Sequence, residues 1–235
     1  MEIAQLKLAL SQIPLTVSAS QLSQLDAYAQ RVYQTNQRFN LTAHDSLSLI
    51  YEKGIYDSLC FPLPILQQAK TLLDLGSGAG FPGIPLNILY PQLSITLLEP
   101  TLKKANFLSA TIEAISLKQI QVISERAEVL AKQTQFVPYD LVVARAVASL
   151  PMLLELVIPL LKVGGHALIY KGKDYLAEMA MAKNALRVLG ATIVEVKTHR
   201  LPTDHDQRAL LVIEKITPTP PAYPRMFSQI KKTPL

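Results

Sequence analysis

Hydrophobic and polar residues follow a helical spacing through the first quarter of the chain. Apolar side chains recur every three or four positions in two stretches, one beginning at Leu22 and the other at Leu47, with polar residues between them. This spacing places the apolar side chains on one face of an amphipathic helix. Residues 1–62 are therefore predicted to form an N-terminal helical extension.

From about residue 70, short apolar runs alternate with segments of helical length. Between the runs, Leu102–Ile115 and Pro151–Leu161 have helical patterns. Buried strands that alternate with helices predict βαβ units, a parallel sheet and right-handed crossovers. The five runs are Thr71–Leu75, Ser94–Leu98, Gln119–Ile123, Asp140–Ala144 and His166–Tyr170.

The chain from Ala191 onward has a different order. Ala191–Lys197 and Ala209–Lys215 are β-rich runs with no helix between them, which predicts a hairpin at the edge of the sheet. Residues 217–235 contain five prolines, at positions 218, 220, 221, 224 and 234, so this tail cannot be helical throughout. The prediction is a doubly wound, Rossmann-like α/β domain over residues 63–216, with seven mostly parallel strands and a Pro-rich basic tail.

A glycine-rich turn follows the first predicted strand and carries the strongest chemical signal. Residues 74–83 read Asp-Leu-Gly-Ser-Gly-Ala-Gly-Phe-Pro-Gly. Glycines allow positive φ angles and let a ligand approach the backbone, while Pro82 and Pro85 suit the first turn of a helix. A strand, a glycine turn and a helix start together predict a cofactor site at the carboxyl end of a parallel sheet.

Two cofactors fit this turn. Gly78 to Gly83 is a literal G-x-G-x-x-G, the fingerprint of dinucleotide binding, which would imply a nicotinamide-dependent dehydrogenase. However, Asp74 precedes Gly76 and Gly78 in an Asp-x-Gly-x-Gly-x-Gly arrangement that resembles motif I of class I methyltransferases. An acidic residue and exposed backbone suit the aminoacyl group of S-adenosylmethionine better than a pyrophosphate.

Later strand ends add candidate site residues. Glu99 ends the second strand, where a carboxylate can accept both hydroxyls of a ribose in either cofactor. Residues 124–128 follow the third strand and would flank an adenine. Arg145 ends the fourth strand, and a cation there is costly unless it meets an anion, either a cofactor carboxylate, a substrate phosphate or a protein carboxylate.

Composition narrows the range of partners and compartments. The net charge is +5 and the pI about 9.2, a surplus that favours an anionic partner such as nucleic acid. Cys60 is the single cysteine, so an intrachain disulfide is excluded. With no signal peptide and no apolar stretch long enough to span a bilayer, we expect a cytoplasmic protein.

Seven segments of the chain carry a further signal: Phe39–Thr42, Ile55–Ser58, Gly76–Pro85, Arg145–Leu150, Tyr170–Gly172, Tyr223–Arg225 and Lys232–Leu235. Together they resemble one family, the ribosomal RNA small subunit methyltransferase G family, also called glucose-inhibited division protein B. The most specific segment is the Phe-Pro-Gly-Ile-Pro extension of the glycine turn. The chain departs from the family at Gly54, where the family usually has a histidine, and at Ser228–Ile230, where it usually has Gly-x-Pro.

The resemblance implies a class I methyltransferase fold and an enzyme that methylates N7 of a guanine in the 530 loop of 16S ribosomal RNA, using S-adenosylmethionine. It also implies that five residues line the cofactor site: Gly76, Phe81, Ala127, Glu128 and Arg145. Gly78 and Glu99 complete the predicted cofactor set. Guanine N7 carries a lone pair and no proton, so no catalytic base is expected.

Contacts with the RNA are predicted at Arg145, Lys171 and Arg225, of which Lys171 is favoured because it ends a central strand. His199, His205, Asp204 and Asp206 lie in the predicted hairpin turn without clear ligand spacing, so no metal is expected. We expect a monomer that acts on the small ribosomal subunit. A non-catalytic ribosome-binding protein on the same fold is the main alternative, because cofactor binding does not prove turnover.

Overall fold

A computed structural model describes residues 1–235 and contains one seven-stranded sheet in the order β3-β2-β1-β4-β5-β7-β6. The first five strands pair in parallel, and β7 pairs antiparallel with both β5 and β6. The prediction of a doubly wound, mostly parallel sheet with an edge hairpin is confirmed. The strands are β1 Thr71–Leu75, β2 Ser94–Leu98, β3 Ile120–Ile123, β4 Tyr139–Arg145, β5 Leu161–Lys171, β6 Ala191–Arg200 and β7 Gln207–Lys215.

Helices precede, connect and follow the strands. Leu47 to Leu59 is one helical stretch whose middle, Ile50–Tyr56, is a π-helix. A 3₁₀ turn, Ile158–Leu160, separates the ninth helix from β5. The α-helices are α1 Ile3–Ser11, α2 Ala19–Asn36, α3 Leu47–Leu49, α4 Asp57–Leu59, α5 Ile65–Gln68, α6 Gly83–Leu89, α7 Leu102–Ala114, α8 Ala127–Leu130, α9 Leu150–Val157, α10 Tyr175–Met181, α11 Lys183–Leu189 and α12 Phe227–Lys232.

The predicted boundaries differ from the structure mainly around β5. The predicted helix Pro151–Leu161 ends as an α-helix at Val157, because Pro159 supplies no backbone N–H. β5 begins five residues before the predicted start, where Leu161 pairs with Tyr139 across a register shift in β4. The glycines before the predicted strand therefore lie within the extended segment.

The N-terminal extension shares one hydrophobic core with one face of the sheet. Leu6, Leu25 and Tyr28 are fully buried in the same cluster as Leu72 of β1 and Ile95 of β2. The extension is thus packed as part of the domain, and its separation at residue 62 stays a prediction. None of the helices has the length and apolar character that crossing a bilayer requires.

Candidate active site

The glycine turn after β1 packs closely against the loop after β4. Gly76 donates its N–H to the carbonyl oxygen of Leu98 at 2.8 Å, and its φ is +72°. A Cβ at this position would lie 2.8 Å from Cγ2 of Val147. Glycine is required here both for the left-handed backbone and for this contact between the two loops.

Asp74 accepts a hydrogen bond from the last residue of the same turn, Gly83. Its side chain is fully buried, and Oδ2 accepts a hydrogen bond from the Gly83 N–H at 3.0 Å, at the start of α6. Burial raises the pKa of the Asp74 carboxyl from 3.8 to about 7, against the lowering effect of the Gly83 hydrogen bond. Oδ1 has no hydrogen-bond partner, so it can accept one from a ligand or water.

Glu99, at the end of β2, is held in place by two backbone groups. Oε2 accepts from the Gly78 N–H at 2.9 Å and Oε1 from the Thr101 N–H at 2.8 Å. Each carboxylate oxygen has a second lone pair, so Glu99 keeps the capacity to accept hydroxyl groups. This arrangement fits the role predicted for it toward a ribose.

A small, mostly apolar cavity of about 130 Å³ lies at the carboxyl ends of β1 and β2. It contains the predicted cofactor residues Gly76, Ala127 and Glu128. Its mostly apolar walls, together with the carboxylates of Glu125 and Glu128, suit the nucleoside part of S-adenosylmethionine. The lining residues are Leu75, Gly76, Leu98, Pro100, Glu125, Arg126, Ala127, Glu128, Val147, Leu156 and Phe227.

A larger cavity of about 520 Å³ adjoins the small one, and Val147 lines both. Positively charged side chains dominate the larger cavity, and the predicted substrate residues Arg145 and Lys171 are among them. The lining residues are His44, Lys53, Asp57, Arg145, Ala146, Val147, Ala148, Tyr170, Lys171, Gly172, Glu178 and Arg208. The site therefore consists of an apolar compartment and a cationic one that meet at the loop after β4.

Arg145 links β4 to the N-terminal extension. Its Nη1 donates to the Lys53 carbonyl oxygen at 2.9 Å and to Asp57 Oδ2 at 3.3 Å, and its guanidinium lies 5.2 Å from the centre of the Phe81 ring. Of the three anions considered for this cation, the structure supplies a protein carboxylate. Asp57 is shared, because Arg208 Nε on β7 also donates to Oδ2, at 3.2 Å.

Phe81 is buried beneath Arg145 and outside the small cavity. Its ring lies 5.2 Å from the Tyr28 ring and occupies the space over Gly54, where a Cβ would approach its Cζ to 2.6 Å. The absence of a side chain at position 54 therefore lets the Phe81 ring sit against the π-helix. This packing explains structurally how the chain accommodates its departure from the usual histidine.

Lys171 and Arg225 have different surroundings. In the larger cavity, Lys171 Nζ pairs with Glu178 at 2.7 Å and donates to the Ala148 carbonyl oxygen at 3.0 Å. Arg225 lines neither cavity and instead forms an ion pair with Glu155 of α9. The structure thus brings two of the three predicted substrate residues together, and the substrate role of all three stays a prediction.

Some cavity residues carry no local sequence signal. Arg208 and Phe227 come from β7 and the tail, far along the chain from the glycine turn, and only the folded topology brings them near it. His44 lies in a loop of the extension, where burial and the nearby charge of Arg145 lower its pKa to about 4. The imidazole is consequently neutral at pH 7.

The acidic residues of the hairpin turn are engaged by a cation. Lys53 forms ion pairs with Asp204 at 2.5 Å and with Asp206 at 3.0 Å, joining the π-helix to the loop between β6 and β7. No group of three or more histidine, cysteine, aspartate or glutamate side chains is arranged to hold a metal ion. These charges therefore act as a structural link across the cationic compartment.

Solved structures with similar folds have low sequence identity to this chain. The fibrillarin pre-rRNA processing protein of Methanococcus jannaschii matches with a TM-score of 0.51 and 18% identity, covering 66% of this chain and 71% of that one. A putative O-methyltransferase from Klebsiella pneumoniae matches with a TM-score of 0.55 and 14% identity, covering 90% and 96%. These likenesses establish the fold alone.

Sequence relatives are much more similar and extend over nearly the whole chain. Ribosomal RNA small subunit methyltransferase G of Desulfitobacterium hafniense is 39% identical over 230 residues, covering 97% of this chain and 95% of the relative. The protein of the same name in Chloroflexus aggregans is 40% identical over 224 residues, covering 95% and 93%. The family model described as GidB, rRNA small subunit methyltransferase G, matches residues 21–209. This chain therefore belongs to the rRNA small subunit methyltransferase G family.

Proposed function

We propose that the protein transfers the methyl group of S-adenosylmethionine to N7 of a guanine in the 530 loop of 16S ribosomal RNA. Family membership supports S-adenosylmethionine-dependent methylation of ribosomal RNA. The observation that carries the proposal for this chain is the pair of adjoining cavities that meet at Val147, one apolar and one cationic. A cofactor in the first and an RNA base in the second would face each other across that loop.

The residues at the strand ends fit the cofactor. Glu99 would accept the ribose hydroxyls, and Ala127 and Glu128 would flank the adenine. The backbone of Gly76 and the free Oδ1 of Asp74 would lie toward the aminoacyl end. S-adenosylmethionine supplies an electrophilic methyl group on a sulfonium, and the chain's task is to position the acceptor in line with it.

The chemistry at guanine N7 requires no proton transfer, because the attacking nitrogen has an in-plane lone pair. The larger cavity is consistent with this, because both of its carboxylates are ion-paired: Asp57 with Arg145 and Arg208, and Glu178 with Lys171. Catalysis would then rest on positioning and on the electrostatics of a cation being transferred. We assign no catalytic acid or base.

The cations of the larger cavity suit RNA phosphates. Lys53, Arg145, Lys171 and Arg208 line it, against Asp57 and Glu178. Binding through phosphate contacts should weaken steeply with salt. We further propose that the protein acts as a monomer in the cytoplasm and recognises the small ribosomal subunit.

The test is incubation with methyl-labelled S-adenosylmethionine and small ribosomal subunits from cells that lack this modification, followed by mapping of the labelled base. We expect label on one 16S guanine, with N7 methylation detected by the sensitivity of that site to strand scission. Naked 16S RNA and subunits that already carry the modification are the controls. Cofactor binding without transfer to any of these RNAs would instead favour a non-catalytic ribosome-binding protein.

A further inference from the structure

The C-terminal tail is fastened to α9 by a buried ion pair. Glu155 is fully buried, and Arg225 donates to it three times: from Nε to Oε1 at 2.7 Å, from Nη2 to Oε2 at 2.6 Å and from its backbone N–H to Oε1 at 3.0 Å. The same guanidinium donates to the Thr233 carbonyl oxygen at 3.0 Å, so it also holds the end of the tail. Bidentate pairs of this kind fix geometry as well as charge.

This anchor places Phe227 at the apolar compartment. Phe227 lines the small cavity together with Ala127, Glu128 and Leu156, and its N–H donates to Glu128 Oε1 at 3.4 Å. One turn later, Ile230 is fully buried in the core cluster that includes β1 and α9. Anchors on both sides of Phe227 thus hold its side chain at the cavity wall.

The neighbouring residue on the same segment has a different environment. Met226 is 50% exposed and is absent from the lining of either cavity. Phe227 is therefore the tail's direct contribution to the compartment. The rest of the lining comes from strand ends, α8, Leu156 of α9 and the loops that follow β2, β3 and β4, and the tail adds Phe227 to it.

We propose that the tail is part of the cofactor site: Phe227 contacts the adenosyl part of the bound cofactor, and docking of the tail and binding of the cofactor stabilise each other. The proposal rests on the proposed function only in that the small cavity receives the cofactor. An aromatic side chain against a purine contributes both area and ring contacts. Coupling must act in both directions, because each binding event favours the same docked state.

The first experiment measures the Kd of S-adenosylhomocysteine by calorimetry, using full-length wild type, Phe227→Ala and Phe227→Leu, with Met226→Ala as the matched control. Loss of an aromatic contact should weaken binding about five- to tenfold in Phe227→Ala. Phe227→Leu should recover part of this loss, and Met226→Ala should bind within about twofold of wild type. Equal affinities for wild type and Phe227→Ala would overturn the proposal.

A shorter ligand locates the contact. For 5′-methylthioadenosine, which lacks the aminoacyl group, Phe227→Ala should weaken binding by the same factor as for S-adenosylhomocysteine. A normal affinity for this ligand, with weakened S-adenosylhomocysteine binding, would move the contact to the aminoacyl end and overturn the assignment to the adenosyl part. Thermal unfolding of each variant establishes that the fold is retained.

The reciprocal effect is measured on the tail itself. Trypsin can cut after Arg225, Lys231 and Lys232, and these bonds need local undocking of the tail to be cleaved. Saturating S-adenosylhomocysteine should slow cleavage about tenfold in wild type and much less in Phe227→Ala. Ligand-independent cleavage in wild type that binds the ligand would overturn the coupling. If wild type binds neither S-adenosylhomocysteine nor 5′-methylthioadenosine, the proposed cofactor site is overturned as well. Failure of the coupling and failure of the cofactor site are therefore distinguishable.

Discussion

The two ends of the chain reach the active site by contrasting means. The N-terminal extension contributes Lys53 and Asp57 to the cationic compartment and is continuous with the core through fully buried residues such as Leu25. The C-terminal tail contributes Phe227 to the apolar compartment and is held by the Arg225–Glu155 pair and Ile230. We therefore expect the fold to require the extension, and the tail to dock onto a fold that forms without it.

Separation from the sheet along the sequence therefore does not predict how much the fold depends on a terminal segment. Removing many buried apolar contacts costs more than the net stability of a typical domain. A segment held by one ion pair, the buried Ile230 and a few partly buried apolar side chains can detach at a smaller cost. Local detachment should thus cost less free energy at the tail than at the extension.

Deletion of residues 1–36 should lower the stability of the fold more than any other change considered. This removes five large buried side chains, those of Leu6, Leu10, Leu25, Tyr28 and Val32. Their burial is worth roughly 8–15 kcal/mol, which is comparable to the whole stability of a domain. We expect no cooperative unfolding transition by circular dichroism. Deletion of residues 217–235 combined with Glu155→Leu, which avoids a stranded buried charge, should retain one.

Arg145→Ala tests the link between the extension and β4. Its loss removes the cation that contacts the π-helix carbonyl of Lys53, so we expect kcat/KM for methyl transfer to fall about 10²–10³-fold. The fold should persist because Arg208 still neutralises Asp57. Arg187→Ala, a change at an exposed arginine on α11, is the control. Wild-type turnover in Arg145→Ala would remove Arg145 from the site.

Arg225→Met tests the anchor of the tail by stability. It leaves the buried Glu155 carboxylate without a compensating charge, with only the backbone N–H of residue 225 as a donor, which should lower the free energy of unfolding by about 3 kcal/mol. The double variant Glu155→Leu/Arg225→Met should recover most of that loss, since no charge is left buried. Chemical denaturation of the four proteins in the cycle measures the coupling. Additive effects would mean that the two side chains act independently.

The smallest effect concerns His44 and pH. Its folded pKa of about 4 lies below the ordinary 6.5, so the unfolded chain binds the additional proton and stability falls as pH drops from about 6.5 toward 4. Because His44 is only half-buried, we expect about 1 kcal/mol of loss at pH 5, after discounting for solvent. The free energies of unfolding of wild type and His44→Gln, measured at pH 7.5 and 5, isolate this contribution. An equal change with pH in both proteins would contradict the assignment.

The sequence was most informative where one physical constraint dominates locally. A strand buried on both faces must be apolar, so β1 and β2 are predicted to the residue. The glycine turn was predictable because Gly76 needs both a positive φ and a close contact. Family resemblance added Ala127 and Glu128, which do line the small cavity.

Other features depend on long-range contacts that no local pattern encodes. Arg225 reads as a basic tail residue, and only the buried Glu155 explains its position. Arg208 lies 151 positions from Asp57 and meets it because β7 inserts between β5 and β6. The early start of β5 likewise depends on pairing with Tyr139, since Gly164 and Gly165 interrupt the apolar pattern of the strand.

The π-helix of Ile50–Tyr56 has a consequence for how the site could change. A π-turn bonds residue i to i+5, so it accommodates one residue more than an α-helical turn. Loss of one residue here would therefore be absorbed by conversion of the π-turn to an α-helical turn, and Asp57, which follows the π-helix directly, would still face Arg145 and Arg208. Each residue of an α-helix turns the chain by about 100°, so loss of a second residue, with no π-turn left to absorb it, would turn Asp57 away from both arginines. The charge balance of the cationic compartment is thus a question of helical phase, which the π-helix protects against a change of one residue in length.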